Sequence, residues 1–110
     1  MPPPDEFYRY YDMRYEGRVR IHLATLWLHS ETPKGYWLSN YQFGREKHVW
    51  VSKTARKRHA YPTVEEAMTS FKARKARQVQ FLTHQLEGAK RALDLANEGR
   101  FCYDDNRTLT

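Results

Sequence analysis

The chain is poor in the residues that staple, hinge or span. A single cysteine, Cys102, stands among 110 residues, which excludes an internal disulfide and any cysteine-cluster metal site. One unpaired thiol also fits a reducing compartment. The five glycines compose no Gly-rich phosphate loop. No apolar run approaches the roughly 20 residues that a bilayer requires, so no membrane span is expected. The opening MPPPDEFYRYYD has neither the basic n-region nor the apolar h-region of a secretory signal. Acidic residues are outnumbered, 13 against 19 Lys and Arg, for a formal charge of +6. What the chain does have is rings: eight Tyr, five Phe and three Trp, with 40% apolar residues in all. That is too many for a disordered polyelectrolyte. At this length one folded domain, residues 1–110, is expected, which excludes a kinase, a Rossmann dehydrogenase or a TIM barrel.

The hydrophobic period divides the chain in two. Residues 1–6 are Pro-rich and, with 104–110, are expected to be flexible tails. The run FYRYYDMRY from Phe7 favours a strand, and Glu16-Gly17 suits a tight turn. Val19, Ile21 and Leu23 alternate with Arg20 and His22, the period of a half-buried strand. In LATLWLH both faces become apolar, so the second half of that strand should lie more centrally. Pro33 and Gly35 mark a turn, with Gly35 expected to take a positive φ. Tyr36–Ser39 and Lys47–Ser52 read as two further strands. Short connections favour an antiparallel meander, so residues 7–53 form the sheet region.

From residue 63 the period is helical. Thr63 and Glu66 have the spacing of a capping box, with Glu66 expected to reach back to the Thr63 amide. Glu65 and Glu66 suit the positive end of the helix dipole, and Gly99 suits the left-handed residue past the last turn. The expected helix, 63–97, is about 50 Å long at ~1.5 Å per residue. Strands of five to nine residues span only roughly 17–30 Å, so the helix should outreach its sheet. The fold class is thus α+β, an antiparallel three- to four-stranded sheet packed against one long C-terminal helix. In the far half of the helix, Val79, Leu82, Leu86, Ala89, Leu93 and Ala96 step by threes and fours, a heptad-like seam for a homo-oligomer. The alternative is that a chain terminus folds over them. Lys75 interrupts the apolar stripe and is expected to snorkel or to meet a carboxylate.

The positive charge is concentrated. Residues 1–44 are net zero and 92–110 are net −2, whereas 45–91 carry twelve basic and four acidic side chains, net +8. The densest run is Lys53-Thr54-Ala55-Arg56-Lys57-Arg58-His59. With Arg74 and Arg77 it can form one phosphate-facing patch at the corner of sheet and helix. Phe81 shares a helical stripe with Arg74 and Arg77, where it either stacks on a base or a partner or completes the core. Lys53, Arg56, Lys57, Arg58, Arg74, Arg77 and Phe81 are therefore the candidate contact residues. An ordinary solvated basic face is the alternative.

Motifs for chemistry are missing. The five histidines give neither H-x-x-x-H nor H-E-x-x-H, and there is no G-x-S-x-G. His22-Leu23-Ala24-Thr25 has no second copy, so a two-histidine phosphoesterase fails. No catalytic residue, metal or cofactor is expected. A small nuclease built from scattered Arg, Tyr and His leaves little motif and is the least favoured reading.

Three stretches carry a resemblance: Glu31–Trp37, then Trp50–Ala67 with its Lys57-Arg58-His59-Ala60-Tyr61-Pro62-Thr63-Val64-Glu65-Glu66-Ala67 block, then Ser70–Lys75 with Arg77-Gln78. Across roughly residues 15–97 the chain resembles a family of small tailed-bacteriophage proteins of unassigned function. The resemblance implies a virus-encoded accessory protein in a host bacterial cytoplasm. Its partner would be a host protein or protein–nucleic-acid complex, in nucleic-acid handling or anti-phage defence. Direct binding of nucleic acid or a nucleotide is the alternative. The strand–strand–strand–helix order is also similar to the sheet-reading DNA-binding domains of integrase arms and AP2 proteins, a likeness of fold alone, and the helix here is much longer.

Overall fold

A computed structural model describes residues 4–104. It contains β1 (Glu6–Tyr15), β2 (Arg18–Glu31), β3 (Gly35–Ser39), β4 (Val49–Ser52) and α1 (Val64–Asn97). The strands form one antiparallel meander in the order β1-β2-β3-β4, so the α+β class and the sheet-then-long-helix order stand as expected. The sheet begins one residue before Phe7, and Asp5 O accepts a bond from the Leu28 N–H at 2.8 Å. Of the expected tails, residues 1–3 and 105–110 lie outside the described residues.

Glu16 and Gly17 make the β1–β2 turn, both at positive φ, 50° and 76°. Two consecutive left-handed residues match the right-handed strand twist and close a two-residue hairpin. Pairing then runs without a slip from Tyr15↔Arg18 to Glu6↔Trp27. β3 meets β2 only from Trp27 onward, with a bulge between Leu28 and Ser30. Burial follows the pairing. Along β2 everything from Arg18 to Leu23 is exposed, and burial starts at Ala24. Phe7, Leu26, Leu38, Val51 and Ala60 form the buried core, with Leu28, Tyr36 and Val49 packed against it. Strand alternation puts these side chains on one face.

Gly35 does not take the expected positive φ. It is needed for space, since a Cβ there would strike Val51 O and the Trp50 ring. The turn before it is closed by Thr32, whose Oγ1 accepts the Gly35 N–H at 3.0 Å while its own N–H reaches Gly35 O at 2.8 Å.

At the helix start Thr63 Oγ1 accepts the Glu66 N–H at 3.1 Å. The Glu66 carboxylate accepts the Thr63 hydroxyl at 3.1 Å instead of the expected amide. At the far end Gly99 has φ 70°, its N–H reaches Ala96 O, and the Arg100 N–H reaches Leu95 O. That pair of bonds is a Schellman stop. Between these signals the helix runs for 34 residues.

The chain divides into two compact units, the first ending at Lys75 and the second beginning at Ala76. In the first, Ala67 and Phe71 are the buried helical residues. Phe71 meets the Tyr10 ring at 6.4 Å, and Lys75 pairs with Asp12 at 2.5 Å. The helix is thereby held against β1, and Lys75 has met the carboxylate expected of it. In the second unit Val79, Leu82, Leu86 and Leu93 are 51–62% exposed, and Ala89 and Ala96 are exposed as well.

Gly35→Ala should lower stability by roughly 1–3 kcal/mol, the cost of overpacking against backbone and a ring. Gly17→Asn, which tolerates positive φ, should stay within about 0.5 kcal/mol of wild type. Urea unfolding midpoints check both.

Candidate functional site: a basic corner between sheet and helix

The loop after β4 is folded around one arginine. Ser52 Oγ accepts the N–H groups of Thr54 and Ala55 at 3.2 and 3.0 Å, which turns the chain. Arg58 then reaches inward. Its Nη2 donates to Lys53 O at 2.7 Å and its Nε to Ala55 O at 2.9 Å, and its guanidinium lies 5.9 Å from the Tyr61 ring. Tyr61 Oη accepts the Arg58 N–H and donates to Arg56 O, both at 3.3 Å. Lys53 pairs with Glu31 at 2.7 Å and sits 5.2 Å over the Tyr36 ring. Lys53 and Arg58 are therefore occupied in shaping the loop, and Arg56 and Lys57 are exposed cations on it.

The loop is clamped to β1. Tyr8 and Tyr61 exchange both backbone hydrogen bonds, at 2.7 and 2.9 Å, around an isolated bridge. Ala60, fully buried, plugs the core beside it. This brings Arg9, a cation outside the basic run of the sequence, to the same corner as Arg74. Arg9 Nη1 donates to His59 O at 2.8 Å, and Arg74 Nη2 donates to Tyr10 O at 2.7 Å. Both guanidiniums are thus oriented by neutral carbonyls. Arg74 Nε is buried without a partner. Burial, then the charges of Arg9 and Arg74, push the His59 imidazole below its ordinary pKa. Burial and the Arg74 charge likewise lower Arg9. The hydrogen bond from Lys75 holds the Asp12 carboxyl below its usual range, and the charges of Lys75 and Arg74 add to this. Among the described residues, none of Arg9, Arg56, Lys57, Arg58 or Arg74 lies within 4.0 Å of a carboxylate oxygen.

Arg74, four sequence elements away from Arg9, lies near enough for its charge to act on both His59 and Arg9. Arg77 and Phe81 belong to the second compact unit, where both are exposed, Phe81 by 62%. Arg9 left no sequence signal, because its contact with His59 spans 50 residues. Among the described residues no three His, Cys, Asp or Glu are grouped to hold a metal ion, and no helix is long and apolar enough to cross a membrane. Cys102 is free and exposed. No protein-family model, curated protein or solved structure matches the chain.

The lowered His59 fixes a direction for stability with pH. Below about pH 6.5 the unfolded chain takes up a proton that folded His59 resists, so stability falls as pH drops through that value. His59→Gln removes this contribution. The difference in urea midpoint between about pH 7.5 and pH 5.5 should shrink relative to wild type.

Proposed function

We propose that this chain acts by binding and performs no chemistry of its own. It docks its basic corner on an acidic face of a host bacterial protein or protein–nucleic-acid complex. In this reading it is a bacteriophage accessory protein of the host cytoplasm, acting on nucleic-acid handling or on defence. The viral context rests on the resemblance of its Lys57–Ala67 block. The observation that carries the binding reading is the unneutralised set Arg9, Arg56, Lys57 and Arg74, two of them held in place by carbonyls. Charges fixed before the encounter lose little entropy on docking and steer an oppositely charged partner.

The test is capture from bacterial lysate with wild type and with Arg56→Glu/Lys57→Glu, each with and without nuclease. Wild type should retain a defined host protein after nuclease. The double variant should lose it at least tenfold with an unchanged unfolding midpoint, since both side chains are exposed. Direct nucleic-acid binding by the same corner is the second reading, favoured by the concentration of arginine and lysine there without a carboxylate partner. It requires affinity that falls steeply with salt. Capture that survives the charge reversal ends both.

We also propose that the seam of Val79, Leu82, Leu86, Ala89, Leu93 and Ala96 joins copies of the chain. Its support is the exposure of all six side chains at heptad spacing. Sedimentation should give an oligomer for wild type and a monomer of undiminished helicity for Leu86→Asp. A wild type that is monomeric at about 100 µM sinks the idea, since specific dimers hold well below that concentration.

A further inference from the structure

The connection between β3 and β4, residues 40–48, is held more firmly than its place on the surface requires. Ser39, 1% exposed, accepts the Tyr41 N–H on its Oγ at 3.2 Å. The Gly44 N–H donates to Tyr41 O at 3.0 Å, and a Cβ at Gly44 would strike Ser39 Oγ and Tyr41 O. His48 closes the far end. Its backbone N–H donates to Leu38 O at 2.9 Å, and its Nδ1 accepts the Asn40 N–H at 3.0 Å. The bulge residue of β2, His29, bonds Arg45 O through Nε2 at 2.9 Å. A carbonyl only accepts, so Nε2 carries the proton and, in the neutral ring, Nδ1 accepts the Ser30 hydroxyl at 3.1 Å.

This rigid frame displays apolar rings to water. Phe43 is 93% exposed and Tyr41 69%. Phe43 also has φ 59°, a left-handed conformation that bulky side chains avoid. Glycine or asparagine would serve the turn better, and an exposed ring contributes nothing to the core. A strained residue held by its surroundings points to function. Beside the loop is a groove of about 690 Å³ in which Phe43, Tyr41 and Trp27 meet Arg45, Gln42 and Asp5. That volume is in the range of small-ligand sites. Three rings offer faces to a planar ligand, Arg45 offers a fork for a phosphate, and Gln42 and Asp5 offer hydrogen-bonding groups for a base edge.

We infer that this groove receives an unstacked base of a single-stranded nucleic acid, with Phe43 and Tyr41 as stacking platforms and Arg45 on the adjacent phosphate. The occupant is single-stranded because a paired base hides its faces in the duplex. An acidic peptide would use Arg45 but has no need of a displayed platform of rings. The site shares no residue with the basic corner, so the two succeed or fail separately.

The experiment titrates a fluorescein-labelled single-stranded tetranucleotide of mixed sequence and reads anisotropy together with tryptophan emission. Wild type should bind saturably. Phe43→Ala and Tyr41→Ala should each weaken binding about tenfold, the loss of one stacked base. Arg14→Glu, an exposed charge beside the β1–β2 turn, should change it less than about threefold, the scale of a remote charge at moderate salt. Phe43→Gly should bind as weakly as Phe43→Ala while its unfolding midpoint stays at or above the wild-type value, because glycine relieves the strained φ. Full affinity in the Phe43 variants, equal binding of the matching duplex, or displacement of a bound acidic peptide with no oligonucleotide binding would each overturn the inference.

Discussion

Everything on the basic side of this protein depends on two short hydrogen bonds. The Tyr8 and Tyr61 backbones exchange them at 2.7 and 2.9 Å, and so carry the chain from the end of β4 back to the first strand. Without that clamp Ala60 has no reason to enter the core, and the helix has no fixed starting point. Arg9 also loses the His59 carbonyl that orients it. The next contacts along the chain repeat the logic. Phe71 on the Tyr10 ring, Arg74 on the Tyr10 carbonyl and Lys75 on Asp12 tie one stretch of α1 to two residues of β1. Apolar burial supplies the driving force, and polar bonds to one strand decide the register.

The electrostatics follow from the same geometry. Two guanidiniums and an imidazole gather where two chain segments meet, and carbonyl dipoles hold them without cancelling their charge. Burial first, and then the charge of neighbouring guanidiniums, lowers the proton affinities of His59 and Arg9. Lys53 and Arg58 show the opposite outcome for the same residue types. One is neutralised by Glu31, and the other is spent on loop carbonyls. A count of basic residues therefore overstates the charge available to a partner and misplaces part of it.

How much was legible follows the range of each interaction. The alternation of Val19, Ile21 and Leu23, the Thr63 cap and the Gly99 stop are local, and each marks its element within a residue. The order of four strands and one helix could be read from those signals together. Gly35 was assigned the right turn and the wrong reason, because the Trp50 ring that crowds it comes from β4. Arg9 was silent because nothing near it in sequence points to the His59 carbonyl. Phe43 looked like one more loop residue; its left-handed backbone is imposed by Ser39, Gly44 and the two histidines. The alternation of Val19, Ile21 and Leu23 in the outer half of β2 promised a half-buried face, yet all three side chains are exposed, because β3 pairs with β2 only from Trp27 onward and that depends on where a distant strand ends.

That outer half has a consequence for how molecules of this chain keep apart. From Arg18 to Leu26, β2 is paired with β1 alone, and among the described residues no other strand covers its second edge. Bare edges of this kind invite cross-β stacking, above all where Val19, Ile21 and Leu23 are displayed. Arg18 and Arg20 interleave with them and act as gatekeepers, since ladders of identical chains would bring their guanidiniums face to face every ~4.8 Å. Like-charge repulsion along one ribbon thus opposes edge-to-edge pairing between copies of the chain.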